Sequence, residues 1–269
     1  MFPLLIVGLG QMGTAMAKGF LGAYPKAKGQ VFGHDQDLRK VAEAEGLGLE
    51  RAKNFEEVLL EAKTVLLALK PSQVLPWLRS NRETLRNEAV LLSIAAGVPL
   101  GAFREVLGAK AHLARVMPNL AIALGACPVG VSCEPGFPAE KKASLIESLS
   151  MLGIPLELEE AQLDALTALS GSGIAFVWHA MEGFAAAGVR LGLPPLLSRK
   201  IAVETFLGAG LLAKNEEAAS LASLKERVTT PKGTTMEGLF VLERLGVKGI
   251  LIEAITNAYD RAQAMLSTR

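Results

Sequence analysis

The chain has 269 residues, of which half are hydrophobic and a fifth are charged, and its formal net charge is +1. This length is sufficient for two domains, and this composition excludes an intrinsically disordered chain. The 28 basic and 27 acidic residues are mixed along the chain without a basic run, so we expect no nucleic-acid partner. The high apolar content predicts an oligomer that buries more surface than a monomer can.

The first ten residues, MFPLLIVGLG, are apolar but too short to span a membrane, and they lack the features of a signal peptide. We therefore expect a cytoplasmic protein and no membrane partner. Cys127 and Cys133 have a spacing that fits neither a zinc site nor a redox-active pair. Both are interpreted as reduced core residues, and no metal site is predicted.

A short apolar run, Leu4 to Val7, predicts a buried parallel strand at the start of the chain. It leads into a G-x-G-x-x-G motif and then into apolar residues at helical spacing, which is the context of a dinucleotide-binding turn. In this interpretation the first glycine forms the turn, the second admits a pyrophosphate, and the third packs the helix on the strand. The predicted cofactor-binding residues of this turn are Gly8, Gly10, Gln11, Met12 and Gly13.

A second strand, predicted over Gln30 to Gly33, is followed by Asp35. A carboxylate at this strand end can accept hydrogen bonds from ribose hydroxyls and would repel a 2′-phosphate, which favours NADH over NADPH. The alternative is that Asp35 or Asp37 caps the helix that begins near Leu38.

Strands and helices continue to alternate, which predicts an open parallel sheet with ligand loops at its carboxyl edge. Lys70 falls on this edge and either reaches a cofactor phosphate or ribose or is simply solvated. Asn119 follows Pro118 and suits either the nicotinamide or an Asx-turn of its own. The further predicted strands are Thr64 to Leu69, Ala89 to Ile94, Ala111 to Arg115, Gly130 to Ser132 and Pro155 to Leu158.

From Glu159 onward the apolar spacing is helical. The fold class predicted is α/β, with a Rossmann-type dinucleotide-binding domain over residues 1–158 and a second, all-α domain over residues 159–269, for which the family resemblance given below implies dimerisation and substrate binding. Ser170 to Gly173 is expected to interrupt a helix where a ligand, a cofactor ring or another helix approaches closely.

Val228 to Leu239 reads VTTPKGTTMEGL and concentrates hydroxyl and turn-forming residues in an apolar helical region. Pro231 would enter a turn and Thr234 or Thr235 would cap the next helix, or the block would bind a small polar ligand. No serine elbow, HExxH motif or histidine–carboxylate pair occurs in the chain, which disfavours proteolysis, acyl transfer and metal-dependent hydrolysis.

With these motifs in view, the chain resembles the pyrroline-5-carboxylate reductase family, which performs the last step of proline synthesis. The resemblance lies in VGLGQMGTAM, LKPSQ, SIAAGVPL, RVMPN, ALSGSG and VTTPKGTTMEGL, in the family's order and spacing. It implies reduction of 1-pyrroline-5-carboxylate to L-proline by hydride transfer from NADH or NADPH. It also implies a homodimer or larger homo-oligomer formed through intertwined helices of the C-terminal domain.

The resemblance also implies residue roles. Thr235 would hydrogen-bond the ring nitrogen, and Thr230, Gly233 and Thr234 would hold the substrate carboxylate. Ser172 and Gly173 would line the pocket where the pyrroline ring meets the nicotinamide. The nicotinamide end would be framed by Ala95, Ala96 and Asn119.

The chain departs from the family pattern in four places. Leu120-Ala121 replaces Thr-Pro after the asparagine, and Ile174 and Phe176 replace proline and tyrosine after SGSG. Lys232 replaces a glycine. Asp35-Gln36 stands where many relatives have a neutral residue and an arginine for the 2′-phosphate.

Two alternative functions remain at this point. A β-hydroxyacid dehydrogenase has a similar glycine turn but uses a catalytic lysine, and Lys200 and Lys214 lack the surrounding pattern. A nucleotide-binding relative that has lost catalysis is the other.

Overall fold

The computed structural model describes residues 1–267, which form two compact units. The first consists of residues 1–171 together with the chain from residue 259 onward, and the second of residues 172–258. The domain boundary that we predict after residue 158 stays a prediction. No helix in the described part of the chain has the length and apolar character needed to cross a membrane.

The first unit is built on one eight-stranded sheet with the strand order β3-β2-β1-β4-β5-β6-β7-β8. Strands β1 to β6 are mutually parallel, and the order 3-2-1-4-5-6 is that of a doubly wound dinucleotide-binding sheet. The strands are Leu4–Val7, Val31–His34, Glu50–Arg51, Thr64–Leu67, Val90–Ser93, His112–Met117, Pro128–Cys133 and Ile154–Glu157.

Helices cover both faces of this sheet, because alternate residues of each central strand enter different cores. In β1, Leu4 and Ile6 pack in one core with Phe20, while Leu5 and Val7 pack in the other. The helices of this unit are α1 Gln11–Ala23, α2 Leu38–Glu45, α3 Phe55–Glu61, α4 Pro71–Asn81, α5 Leu100–Leu107, α6 Ala139–Ser150 and α7 Gln162–Leu166.

The second unit is entirely helical and has almost no core of its own. Among its large apolar side chains, Leu191 and Leu196 are more than 80% exposed, and Ala202 is the one buried hydrophobic residue recorded between residues 172 and 258. Its helices are α8 Gly173–Arg190, α9 Pro195–Asn215, α10 Leu221–Arg227, α11 Thr234–Arg244 and α12 Val247–Ser267, the last of which continues into the first unit.

The structure confirms the fold class and corrects several local predictions. β7 runs antiparallel to β6, and the two-residue strand β3 has no counterpart among the predicted strands. The SGSG segment does not interrupt a helix. Instead, Thr167–Ser172 forms a π-helical segment that contains Gly171, and α8 follows directly with Gly173 as its first residue.

Candidate functional site

The glycine-rich turn between β1 and α1 has the geometry that its sequence predicts. Gly8 has φ +94, and a Cβ there would lie 2.5 Å from Ala68 O. A Cβ at Gly13 would collide with Gly8 O, whereas a Cβ at Gly10 would meet no heavy atom within 4 Å. Gly8 and Gly13 are therefore required by the fold, while the space beside Gly10 is open to a ligand.

The N-terminus of α1 leaves backbone donors available beside this space. Gly10 is the N-cap, and no side chain caps the helix. Gly8 N–H donates to His34 O and Leu9 N–H donates to Asp35 Oδ2, and both distances are 2.8 Å. The N–H groups of Gln11 and Met12 have no acceptor in the described chain. These donors and the helix dipole fit the pyrophosphate of a dinucleotide.

Asp35 joins the glycine-rich turn to the end of β2. Its Oδ2 accepts from Leu9 N–H and its Oδ1 accepts from Asp37 N–H, both at 2.8 Å, while Lys40 Nζ lies 3.5 Å from Oδ2. Burial would raise the pKa of Asp35, but the two backbone hydrogen bonds and Lys40 outweigh it and place the pKa below its ordinary value. The carboxylate is therefore held ionised.

The capping alternative applies to Asp37 and not to Asp35. Asp37 is the N-cap of α2, and its Oδ1 accepts from Arg39 N–H at 3.0 Å. The ribose role that we predict for Asp35 stays a prediction, since a carboxylate has further lone pairs beyond the two used here.

A groove of about 740 Å³ runs along the carboxyl edge of the sheet beside these residues. Its walls include Gly10, Asp35, Lys40, Lys70 and Trp77. Lys70 is exposed, and its backbone N–H donates to Gln73 Oε1 at the start of α4. Lys70 thus lies in the groove, as its predicted cofactor role requires.

His34 lies on the groove wall and packs on Phe55, with ring centroids 4.2 Å apart. Burial lowers the pKa of His34 in spite of the opposing charge of Asp35. A neutral, partly buried ring at this position provides an apolar surface next to the carboxylate.

Asn119 follows β6 and is held by three contacts. Its Oδ1 accepts from Ala121 N–H at 2.9 Å, which is the Asx-turn predicted from the sequence. Its Nδ2 donates to Ser170 Oγ at 2.9 Å and to Ser170 O at 3.3 Å, which links β6 to the π-helical segment. Its backbone N–H donates to Cys127 Sγ. The nicotinamide role of Asn119 stays a prediction.

The sheet brings several predicted cofactor residues to one edge, because each follows a parallel strand. Gly8, Asp35 and Lys70 follow β1, β2 and β4 within the groove, and Ala95 with Ala96 follow β5. Ala95 is buried, and its N–H donates to Ser93 Oγ. Ala96 is half-buried.

The threonine-rich block of the second unit forms a tight turn that ends in the N-terminus of α11. Thr229 Oγ1 donates to Lys225 O, and Gly233 N–H donates to Thr230 O at 3.0 Å. Gly233 is the N-cap, so the sequence-based prediction of a Thr234 or Thr235 cap is wrong. The reason is steric: a Cβ at Gly233 would collide with Thr230 Oγ1, so the chain enters the helix through the residue without one.

The same turn presents polar groups that no described residue satisfies. The N–H groups of Thr234 and Thr235 have no acceptor, and the hydroxyls of Thr230, Thr234 and Thr235 make no hydrogen bond within the described chain. Since Gly233 N–H is already used, the free donors lie one residue further along than the sequence predicts. A helix N-terminus of this kind binds anions without a lysine or arginine.

Lys232 adopts a left-handed conformation, with φ +59, and its side chain is exposed. This conformation costs little for glycine and about 1–2 kcal/mol for other residues. It accounts for the glycine that the family pattern has at this position.

Ser172 is half-buried and Gly173 is buried at the junction of the π-helical segment and α8. π-helical turns occur frequently at functional sites. The predicted role of both residues in the substrate pocket stays a prediction.

The sequence did not single out two features of the first unit. Lys40 lines the groove and lies five residues after Asp35 in the sequence. This short spacing is the signal that could have indicated that the two side chains are neighbours. Arg115, 3% exposed, lies 3.1 Å from Glu160 and 3.8 Å from Asp164. Among the residues described, no cluster of three or more His, Cys, Asp or Glu side chains could hold a metal ion.

The strand order, the glycine-rich turn and the groove define a Rossmann-type NAD(P)-dependent oxidoreductase with a helical second domain. The family model described as "NADP oxidoreductase coenzyme F420-dependent" matches residues 3–97, and that described as "Pyrroline-5-carboxylate reductase dimerisation" matches residues 160–265. The chain belongs to the pyrroline-5-carboxylate reductase family.

Similar proteins support this assignment over nearly the whole chain. The pyrroline-5-carboxylate reductase of Aquifex aeolicus is 32% identical over 97% of this chain and 96% of its own length. The solved structure of the Coxiella burnetii enzyme has a TM-score of 0.87 at 26% identity and covers 98% of both chains. The Plasmodium falciparum enzyme, solved with NADP bound, has a TM-score of 0.85 at 26% identity, with 98% of this chain and 97% of that chain covered.

Proposed function

We infer that this protein reduces 1-pyrroline-5-carboxylate to L-proline with NADH or NADPH. The observation that carries this inference is the presence of an open dinucleotide turn and a free threonine-lined helix N-terminus in one chain that aligns nearly end to end with these reductases. A bound reduced nicotinamide supplies a hydride, which goes to C5 of the cyclic imine.

On the cofactor side, residues of the chain bind and orient the dinucleotide. Gln11 and Met12 N–H groups and the α1 dipole hold the pyrophosphate, and Asp35 accepts from the adenosine ribose. Lys70, which lines the groove, reaches a phosphate or ribose in this proposal. Ala95, Ala96 and Asn119 frame the nicotinamide end.

On the substrate side, the α11 N-terminus holds the carboxylate through the N–H groups of Thr234 and Thr235 and the Thr230 hydroxyl, with Gly233 permitting the turn. The Thr235 hydroxyl supports the ring nitrogen, and Ser172 and Gly173 line the pocket. The protonated iminium is already electrophilic, so the protein needs no strong acid or base. Orientation of two rings in a dry site supplies several kcal/mol of the barrier reduction.

The proposed cofactor preference is NADH. Asp35 is held ionised by two backbone N–H groups, and a fixed negative charge at this strand end disfavours a 2′-phosphate. Steady-state comparison of NADH with NADPH tests the preference, and a wild-type enzyme that greatly favours NADPH would overturn it.

The second unit supports assembly as a homodimer or larger homo-oligomer. Its helices expose large apolar residues along their length, including Trp178, Phe184 and Phe240, each more than half exposed. A helical unit with this surface needs a partner to bury it. The partner is a second copy of the chain, since residues 160–265 match the family's dimerisation domain.

Substitution of Thr235 by alanine tests the proposed chemistry. Removal of the hydroxyl is expected to lower kcat far more than it changes the affinity for NADH, because the group acts on the substrate nitrogen. Thr229→Ala is the matched control, since the Thr229 hydroxyl already donates to Lys225 O. An unchanged turnover for Thr235→Ala would remove that residue from the reaction.

The same assay separates the proposed enzyme from a relative that only binds nucleotide. Wild-type protein mixed with pyrroline-5-carboxylate and NADH should oxidise the NADH, which is followed by absorbance. An absence of oxidation at high protein concentration would favour the binding protein. A β-hydroxyacid dehydrogenase is not favoured, because the curated relatives that align with nearly the whole chain at 29–32% identity are pyrroline-5-carboxylate reductases.

A further inference from the structure

Lys40 is a cation in the wall of the groove, next to the ionised carboxylate of Asp35 that follows β2. It lies in the first turn of α2, its ammonium is 3.5 Å from Asp35 Oδ2, and its side chain is 43% exposed and helps to line the groove. The ammonium is therefore paired with Asp35 and still accessible to a ligand.

The neighbouring Arg39 differs in both respects. Its Nε and Nη2 donate to the two carboxylate oxygens of Asp37 at 3.1 and 2.9 Å. Its side chain is 88% exposed, and it does not line the groove. Of these two adjacent cations on α2, Lys40 lines the groove and Arg39 does not.

We propose that Lys40 is a specificity-determining residue that offsets the charge of Asp35 and pairs with an adenosine 2′-phosphate, so that this chain accepts NADPH in addition to NADH. The inference rests on the proposed function, since it concerns the same groove. It adds one side chain, Lys40, as the reason that the groove also binds NADPH.

The geometry lets Lys40 leave Asp35 at little cost. Asp35 keeps hydrogen bonds from Leu9 N–H and Asp37 N–H when the ammonium moves, so its carboxylate is not left unpartnered. The lysine stem is flexible and its ammonium is a compact charge, which suits a phosphate that is present in only one of the two cofactors. Without Lys40, the phosphate would face the Asp35 carboxylate with no cation between them.

Other charged groups of the groove do not fill this role. Lys70 belongs to the loop after β4, which is two strands away from β2 in the sheet, and Asp37 is neutralised by Arg39. The partly buried His34 ring has its pKa lowered by burial and carries no charge at neutral pH. Lys40 is thus the cation of α2 available next to Asp35.

The test compares Lys40→Gln with the control Lys53→Gln, which removes the same charge from an exposed lysine that does not line the groove. Dissociation constants for NADH and NADPH are measured by nicotinamide fluorescence, without substrate and at two salt concentrations. Lys40→Gln should weaken NADPH binding about fivefold and leave NADH binding within about twofold, while Lys53→Gln changes neither. The NADPH affinity of the wild type should fall with salt, and this dependence should be smaller in Lys40→Gln.

Equal loss for both cofactors, or no loss for either, would overturn the role of Lys40 while the cofactor site stands. Equal effects of Lys40→Gln and Lys53→Gln would also overturn it, since a general surface charge would then explain the result. If the wild type binds neither nucleotide, the proposed function fails and the inference fails with it. A parallel titration with adenosine 2′,5′-bisphosphate and 5′-AMP locates the effect at the 2′-phosphate, and equal loss of both fragments would contradict that location.

Discussion

Gly233 offers a sharp test of the substrate cradle, which is the carboxylate site proposed at the N-terminus of α11. A single methyl group at Gly233 would disturb this site and little else. Its φ of −79 and ψ of 160 are open to alanine, so the backbone conformation itself adds no strain. The obstacle is contact: the new Cβ would collide with Thr230 Oγ1 and lie 3.0 Å from Thr230 O. The turn before α11 must therefore open.

The expected magnitude follows from the size of that displacement. The turn must move by roughly 0.5–1 Å before the methyl group fits, because non-bonded atoms cannot approach much closer than van der Waals contact. A misplacement of about 1 Å can cost about 100-fold in rate. We therefore expect Gly233→Ala to lower kcat/KM for pyrroline-5-carboxylate about 10- to 100-fold, which is ~1.4–2.7 kcal/mol. The loss should appear in both kcat and KM, because the displaced turn weakens carboxylate binding and also misplaces the ring that reacts.

The assay is steady-state reduction at saturating NADH with pyrroline-5-carboxylate varied. Gly22→Ala in α1 is the control: that helical glycine is exposed, has no heavy atom within 4 Å of an added Cβ, and lies in the first unit. The double variant Thr230→Ala/Gly233→Ala should be no worse than Thr230→Ala alone within about threefold, since the colliding hydroxyl is gone. A single Gly233→Ala variant within about threefold of wild type would refute the cradle.

Two further substitutions test the local structure. Lys232→Gly should be more stable than Lys232→Ala by about 0.5–1 kcal/mol, because only glycine tolerates φ +59 without cost; thermal unfolding measures this, and equal stabilities would contradict the left-handed conformation. Arg115→Ala should destabilise the protein by about 3–5 kcal/mol, because it leaves the buried Asp164 carboxylate and Glu160 without their cation. Arg115→Lys is its control in urea unfolding, and a loss below about 1 kcal/mol for Arg115→Ala would show that this ion pair contributes little.

The sequence predicted those parts of the site whose signal is contiguous. β1 begins and ends where the apolar run does, and the three glycines have the distinct steric surroundings that their spacing indicates. The Asx-turn of Asn119 and the pairing of Lys40 with Asp35 differ in this respect. Asn119 Oδ1 bonds a residue two positions away, which local chemistry predicts, but Lys40 pairs with Asp35 through the fold of the β2–α2 loop.

Patterns of a single segment could not predict pairing partners that are distant in the chain. β7 pairs antiparallel with β6. An apolar run has the same residue pattern in a buried parallel strand and in a buried antiparallel strand, so it does not predict the direction. The N-cap of α11 is Gly233 because Thr230 packs against it, although four threonines nearby favour a hydroxyl cap.

Periodicity and glycine spacing indicated the fold class and the glycine-rich turn, because they are local consequences of backbone geometry, and the family was indicated by the resemblance of six motifs. The contacts of Asp35, Asn119 and Arg115 depend instead on how the chain folds. Asp35 meets Leu9 across 26 residues and Asn119 meets Ser170 across 51. Hydrogen bonds at such separations exist only after the sheet has brought its strand ends together, so no local pattern encodes them.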